Sequence, residues 1–408
     1  MGRVVINRQN GGLGRRPANN DGVIGIVGSG YAAGSYALGD VMHIKSLKDF
    51  EEIGYSEATD VTASKSVYKR IKELYRLNPI AEVYLMIVAD TVSQTTMLGV
   101  GSVYADKLLT QANGKIRHLA TFRNPHSGYS PLVTSGIDDE ITAASGAIDK
   151  AQLLATAFSA KNMPIHVYIE GRSFTGTASA ALDLRTLDRP DVSIVLAQDL
   201  NYGLTGDAAI ETIMGLVSRS RVNDSIAWVQ PNNIQNPSIT RWIAPGLSSG
   251  LALSAYSDSA LTALNDKGYI TPMLYPREST TAYAGCYIND CHSCVGIESD
   301  YAYFIESNVM NKAARLVFNA ILPELNSTIK VDPVSGQIAP DVCAYFKTLG
   351  ERAIQPMLND SEISGFTVTV DPEQNILTTG QLVIDYSIIP TGIAREIIDN
   401  IGFTNPFS

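Results

Sequence analysis

The feature that most constrains this chain is a nearly unbroken apolar run at residues 81–89, Ala-Glu-Val-Tyr-Leu-Met-Ile-Val-Ala. Such a run is typical of a strand buried on both faces, as in a parallel sheet covered by helices. Further short apolar runs alternate with amphipathic segments along the chain. The pattern predicts an α/β domain with a largely parallel or mixed sheet. We expect helices at 60–77, 143–161, 207–219 and 257–267, and strands at 81–89, 164–170, 192–198 and 269–275.

A different order of elements is predicted for the last quarter of the chain. Apolar residues from Val309 to Ile321 recur at three-and-four spacing, which indicates a long helix after residue 300. A second helix is expected at 340–358, with Pro340 in its first turn. Two runs that alternate apolar and polar residues, 365–371 and 381–390, predict strands. A short helix is expected at 391–401.

Length and composition set broad limits. A chain of 408 residues exceeds one typical core, so we expect two or three domains. The net charge of −10 argues against broad binding to nucleic acid or anionic membranes. The N-terminus lacks the apolar core of a signal peptide, and no apolar run is long enough to span a membrane. Four cysteines without regular spacing fit a reducing compartment. We therefore expect a soluble protein made inside the cell.

The N-terminal segment has two interpretations. Residues 2–7 form a short strand-like run, and a glycine-rich linker at 11–17 separates it from the rest of the chain. A strand without a nearby hairpin partner must pair elsewhere or remain frayed. It is either a frayed terminus or an arm that adds a strand to another subunit's sheet. The arm residues are Arg3, Val4, Val5, Ile6 and Asn7.

A glycine-rich stretch offers a cofactor hypothesis. Gly28, Gly30 and Gly34 follow a strand-like run, as in dinucleotide-binding folds. The third glycine comes one position late, however, and residues 35–44 have the pattern of a loop that leads to a short strand. A dinucleotide-dependent enzyme is therefore kept as an alternative, and we expect no cofactor.

A cysteine-rich segment offers a metal hypothesis. Cys286, Cys291 and Cys294 have the C-x4-C-x2-C spacing of some iron–sulfur proteins, and Cys343 could supply a fourth thiolate. With His292, the three thiols could instead bind zinc. The simpler alternative is an exposed loop with reduced thiols, and we therefore expect no metal.

No arrangement of a nucleophile, a base and a carboxylate is recognisable. His166 lies in a strand pattern and His126 in a turn. The acidic run Asp138–Glu140 fits a helix N-terminus or a solvated loop. No Gly-x-Ser-x-Gly, phosphate-binding or His-Glu-x-x-His motif occurs. We therefore expect no catalytic residues.

Both ends of the chain resemble contractile tail sheath proteins. The C-terminal order of elements carries the resemblance, with local matches at residues 312–315, at Gly365 and Phe366, at Asn375, and at the strand exit 388–390. At the N-terminus, the strand at 25–28 and the Ser-Leu-x-x-Phe phrase at 46–50 resemble the same family. Asn289 and Asp290 also match a family phrase, whereas the cysteines do not.

The resemblance implies a structural subunit that polymerises in six-fold rings around an inner tube and contracts to drive that tube through a target envelope. Its implied domains are an arm and linker (1–20), an outer α/β domain (21–299), an inner domain (300–401) completed by neighbours' arms, and a short tail (402–408). The implied partners are other copies of the chain, the tube protein, and baseplate and terminator proteins, without nucleic acid or membrane. The same family occurs in phage tails, bacteriocins and secretion-type injection systems, and these alternatives stay open. The implied arm-accepting residues are Phe366, Val368, Val370, Leu382, Ile384 and Tyr386, and the implied tube-facing residues are Lys347, Glu351 and Arg352.

Overall fold

The structure is a computed structural model that describes residues 20–275 and 283–404. The chain divides between Leu325 and Asn326 into two compact units. The strands of the first unit are β1 (Ile24–Gly30), β2 (Met42–Ile44), β3 (Val83–Ala89), β4 (His118–Phe122), β5 (His166–Glu170), β6 (Val192–Val195), β7 (Ala197–Asp199), β8 (Pro245–Leu247), β9 (Tyr269–Ile270), β10 (Pro272–Tyr275) and β11 (Gly285–Ile288). Its helices are α1 (Leu47–Ile53), α2 (Glu57–Ala63), α3 (Val67–Leu77), α4 (Gln94–Met97), α5 (Ala105–Ala112), α6 (Asp139–Thr142), α7 (Ala147–Ser159), α8 (Ile210–Arg219), α9 (Asp258–Asp266) and α10 (Phe304–Ile321).

Seven strands of the described chain form a central sheet in the order β2-β3-β1-β4-β5-β6-β9. Neighbouring strands are parallel, except that β2 runs antiparallel to β3. Strands β1 and β4 are buried along their whole length, as is nearly all of β3. The predicted α/β fold with a largely parallel or mixed sheet is confirmed.

Helices cover both faces of this sheet. On β5, Val167 and Ile169 pack in the apolar core with Leu154 of α7. The intervening Tyr168 points to the opposite face, where its ring lies 5.2 Å from that of Phe304 in α10. This two-sided burial explains why the strands read as continuous apolar runs.

The prediction of a single helix at 60–77 is wrong, because the structure has two helices there, α2 and α3. Ser64 ends α2 with a positive φ of 52°. The Asp60 carboxylate then accepts hydrogen bonds from the backbone N–H groups of Val67, Tyr68 and Lys69, at 2.9–3.0 Å. A side chain of α2 thus caps α3. The spacing of apolar residues does not reveal the break between these two helices. Strand β4 and helix α5 were also not predicted. The strands expected at 192–198 and 269–275 are each divided in two.

The second unit contains α11 (Pro340–Asn359), β12 (Ile363–Thr369), α12 (Ile376–Thr379) and β13 (Asp385–Pro390). Its two strands pair antiparallel, with a register shift between Ile363 and Gly365. The predicted helix at 391–401 is wrong, since this stretch has no helix. Ile397, Ile398 and Ile401 are all more than 70% exposed, so these three side chains add little apolar burial that could stabilise a short helix.

Candidate functional site

The glycine-rich stretch does not have the geometry of a phosphate-binding turn. Gly28 and Gly30 lie inside β1, and a Cβ atom at Gly28 would overlap the ring of Phe122. Gly34 has a φ of +54° and packs against the Ile53 carbonyl. The next element after Gly34 is β2, whereas a phosphate site of this kind needs a helix N-terminus. These glycines therefore serve close packing and a turn.

The crevice where an α/β sheet usually binds ligands is filled by the protein itself. Strand order reverses between β1 and β4, so that crevice lies at their carboxyl ends. There the Asn124 backbone N–H donates to Ser29 Oγ at 2.7 Å, and Asn124 Nδ2 donates to the Ser29 carbonyl at 2.9 Å. The Arg70 guanidinium lies 4.8 Å from the centre of the Phe122 ring. These contacts occupy the space that a cofactor would need.

Arg70 is the centre of a buried charge network beside this crevice. Its side chain is 4% exposed and lies 2.5 Å from Glu170, 2.9 Å from Asp207 and 3.0 Å from Glu211. Burial opposes its charge, but the three carboxylates outweigh burial and raise the pKa of Arg70. Arg172 also contacts Asp207, at 2.5 Å. The network joins α3, α8 and the end of β5.

Burial raises the pKa of two carboxyl groups in this region. Burial raises the pKa of Glu211 to about 7 against the opposing effect of Arg70. Burial likewise raises the pKa of Glu140 to about 7, although Arg123 pairs closely with it. Perturbed carboxyl groups can act as acids or bases. The cavity beside Glu211 has a volume of only about 10 Å³, however, which is about the size of one water molecule. At Glu211 the arrangement therefore holds elements together and leaves little room for a substrate.

The cysteine segment is buried, so the expectation of an exposed loop is wrong. Cys286, Cys291 and Cys294 each have 0% exposure. Cys291 Sγ lies 3.4 Å from Ser225 Oγ, and burial raises the pKa of the Cys294 thiol to about 12. In residues 20–275 and 283–404, no three His, Cys, Asp or Glu side chains are placed to hold a metal ion. Cys343, the candidate fourth thiolate, belongs to the second unit.

The second unit contains a small sheet with unpaired edges. Phe366 pairs with Ile388 and Val368 with Tyr386 across the β12–β13 hairpin. Val368 is buried, and a Cβ atom at Gly350 of α11 would lie 3.0 Å from its Cγ1 atom, so this face packs on α11. No third strand pairs with either outer edge within residues 283–404. Two-stranded sheets are marginally stable alone and present open edges to other strands.

The other predicted accepting residues lie next to these strands. Val370 directly follows β12, and Leu382 and Ile384 precede β13 in a stretch without regular secondary structure. Gln374 bonds to the backbone N–H and carbonyl of Val383, at 2.7 Å and 2.9 Å, which fixes this stretch beside the turn. Of the six predicted residues, only Phe366, Val368 and Tyr386 are therefore within the regular hairpin.

The predicted tube-facing residues lie on α11. Lys347 and Glu351 have side-chain exposures of 52% and 44% and are 3.9 Å apart, and Arg352 is also exposed. The predicted arm, residues 3–7, lies outside the described part of the chain, as do residues 405–408. Within the described residues, no helix is both long and apolar enough to cross a membrane.

Two domain families cover almost the whole sequence. Residues 1–292 match the DUF2586 N-terminal domain, and residues 300–408 match the DUF2586 C-terminal domain. The predicted domain limits at 20, 299 and 401 stay predictions. Among curated proteins, none matches this sequence.

Solved structures with a similar fold come from contractile machines. A chain of the six-fold symmetrised baseplate of the anti-feeding prophage aligns with a TM-score of 0.64 and 13% identity, over 100% of this chain and 99% of that one. The contracted helical sheath of the same particle aligns with a TM-score of 0.61 and 14% identity, over 98% of both chains. The contracted PVC sheath complex, from an extracellular contractile injection system, aligns at 0.56 and 10% identity, over 98% of this chain and 97% of that one. This chain therefore has the fold of contractile sheath proteins, which confirms the resemblance seen in the sequence.

Proposed function

The chain belongs to the DUF2586 family and has the fold of contractile sheath proteins, and we propose that it is the structural subunit of a contractile sheath. Many copies polymerise as a helical lattice around an inner tube, and the lattice contracts to drive the tube through a target envelope. The observation that carries this proposal is the near full-length alignment with subunits of two contracted sheaths. The protein forms in the cytoplasm of the producing bacterium and then becomes part of a tail or injection particle.

Lattice contacts are made by strand exchange. Residues 3–7 of one subunit pair with the open edge of the β12–β13 hairpin of a neighbour. The hairpin supports this proposal because its inner face is packed on α11 while its edges have no strand partner in the described residues. Phe366, Val368 and Tyr386 fix the position of the accepting strands. The glycine linker at 11–17 lets the paired arm follow rigid-body movement of its own subunit.

The energy of contraction comes from a difference in contact free energy between two arrangements of the same subunits. In this account the exposed face of α11, with Lys347, Glu351 and Arg352, lies toward the inner tube. Baseplate and terminator proteins bind the two ends of the lattice. No chemical step is required of the protein, and the filled crevice and the one-water cavity fit a mechanical role better than a cofactor-dependent enzyme.

The arm is tested by removing one backbone donor from it. Val5→Pro removes a backbone N–H from the exchanged strand, whereas Val5→Thr keeps this N–H and the β-branched shape. We expect wild type and Val5→Thr to sediment as large assemblies, and Val5→Pro to sediment as small particles. Circular dichroism should show that both variants are folded. Assembly of Val5→Pro at the wild-type level would contradict strand exchange through this arm.

A further inference from the structure

Three of the five histidines surround the start of α10. The ring of His166 lies 5.5 Å from that of Phe304, and the ring of His292 lies 5.5 Å from that of Tyr303. His118 lines a small cavity together with Phe304 and Asn308. These rings come from β4, from β5 and from the loop after β11. We call His118, His166 and His292 the histidine cluster.

His166 is held in one neutral tautomer. The hydroxyl of Ser193 donates to the His292 carbonyl at 2.6 Å, so it accepts from His166 Nε2–H at 2.8 Å. The opposite nitrogen, Nδ1, is buried and has no hydrogen-bond partner among the described residues. A second proton on His166 would therefore sit at an atom with no acceptor. Burial and the nearby His118 lower the pKa of His166 far below its usual range.

The contacts of the other two rings also fit neutral histidines. His118 is 4% exposed, and its Nδ1 lies 3.3 Å from the Tyr168 hydroxyl. Arg185 donates to His292 Nδ1 at 2.5 Å, so this atom must be an acceptor, and Nε2 then donates to Asn265 at 2.9 Å. Protonation of His292 would place a proton directly against a guanidinium group.

Cations outweigh the anion that acts on His118. Asp21 lines the same cavity as His118, and it is already paired with Lys312 at 2.7 Å and Arg315 at 3.2 Å. Burial, followed by Arg315 and Arg117, lowers the pKa of His118 to about 3, although Asp21 acts in the opposite direction. The remaining charged or titratable groups at these rings are Tyr168, Arg185, Arg221, Asp224, Asp290, Cys291 and Tyr303.

We propose that the histidine cluster is a pH-sensitive latch, which holds the start of α10 on the sheet at neutral pH and opens more often in mildly acidic solution. The latch responds to protonation of the histidine cluster. Helix α10 ends four residues before the boundary between the two compact units, so its release loosens the segment that leads to the second unit. The latch operates within one subunit and goes beyond the proposed sheath function.

The sign of the effect follows from the neutral native state. A buried histidine with a lowered pKa stabilises the closed form fully above the unfolded pKa of about 6.5, and this stabilisation is lost as the pH falls toward the folded value. For His118 alone, with a folded pKa of about 3, opening that exposes the ring becomes about 30-fold more frequent between pH 7.5 and pH 5.0. The lowered pKa of His166 also makes opening more frequent as the pH falls.

Hydrogen exchange measured by mass spectrometry tests the latch on the unassembled full-length chain. After correction for the intrinsic pH dependence of exchange, peptides covering residues 303–312 should exchange at least about 30-fold faster at pH 5.0 than at pH 7.5. Peptides from β1 and β3 serve as the internal reference and should change much less. Equal acceleration in all three regions, or none at 303–312, would overturn the proposal.

Variants separate the cluster from general acid sensitivity. In the double variant His118→Gln and His166→Gln, the acceleration at 303–312 should fall well below 30-fold, because His292 is the only member of the cluster that remains. The matched control is His126→Gln, because His126 is exposed in a turn and should leave the acceleration unchanged. If the double variant does not fold, His292→Gln alone should reduce the acceleration. Full acceleration in every folded cluster variant would contradict the latch, and this result would not affect the proposed sheath function.

Discussion

Replacing Arg70 with methionine should strongly destabilise the first unit. The change keeps most of the side-chain length but leaves Glu170, Asp207 and Glu211 without the guanidinium that now lies 2.5–3.0 Å from each of them. The backbone carbonyl of Ala208, bonded to Arg70 Nη1 at 2.9 Å, also loses its donor. Removing one partner of a buried ion pair costs about 3–5 kcal/mol, because the remaining charges stay desolvated. We therefore expect the free energy of unfolding of Arg70→Met to fall by about this amount.

The matched control lies on the same helix. Lys72 pairs with Glu57 at 2.8 Å, but these side chains are 44% and 57% exposed. Exposed ion pairs contribute about 0–1 kcal/mol, so Lys72→Met should unfold almost like wild type. Urea unfolding followed by circular dichroism at pH 7.5 measures both variants. Loss of less than about 1 kcal/mol in Arg70→Met would refute the view that this network is a buried, tightly coupled charge cluster.

The same variant has a predicted pH dependence. Burial raises the pKa of Glu211, and Arg70 is the group that opposes this rise. Without Arg70, the folded pKa of Glu211 lies further above its unfolded value, so the destabilising effect is present at neutral pH and decreases as acid protonates this carboxyl group. The difference in unfolding free energy between wild type and Arg70→Met should therefore be smaller at pH 5 than at pH 7.5. A difference that grows on acidification would contradict this reasoning.

Three further predictions concern packing and thiol access. Gly28→Ala should lower the free energy of unfolding by about 1–3 kcal/mol, because the added methyl group overlaps the Phe122 ring. The control Gly392→Ala, at an open position, should stay within about 0.5 kcal/mol of wild type in the same urea assay. Gly350→Ala should loosen the packing of α11 on the β12–β13 hairpin, because the added methyl group meets Tyr386 and Val368. Hydrogen exchange should then be faster in β12 than in wild type, and an unchanged rate would contradict this prediction. In native protein at pH 8, a thiol reagent should modify Cys343 first, because Cys343 is only partly buried, whereas Cys286, Cys291 and Cys294 are buried. Labelling followed by peptide mapping measures the four rates, and equal rates for all four thiols would contradict this prediction.

The sequence predicted the layered α/β fold because buried parallel strands leave a strong signal. The run at 81–89 became β3, and the spacing after Val309 became the body of α10. It did not predict β4, His118–Phe122, because five residues with a histidine and a threonine are not distinctive as a strand. Asp60 caps α3 by reaching back from the preceding helix, and such long-range side-chain bonds are not visible in periodicity.

The candidate site was only partly readable from the sequence. The alternation around Phe366 and Tyr386 predicted the two strands, but β12 lies two residues earlier than predicted, and β13 begins four residues later and ends at the predicted residue. The buried charge network was missed, because its members are spread from Arg70 to Glu211 and meet only in the folded chain. Glu170 and Arg172, at the carboxyl end of β5, are close in the sequence, but the other members are not.

Electron microscopy of the purified full-length protein, alone and together with a candidate inner-tube protein, tests the central claim most directly. The account predicts tubes or stacked rings built from many copies, and it predicts that deletion of residues 1–12 disorders or abolishes them. Uniform small particles in both preparations, even with the tube protein present, would contradict the proposal that this chain is a sheath subunit.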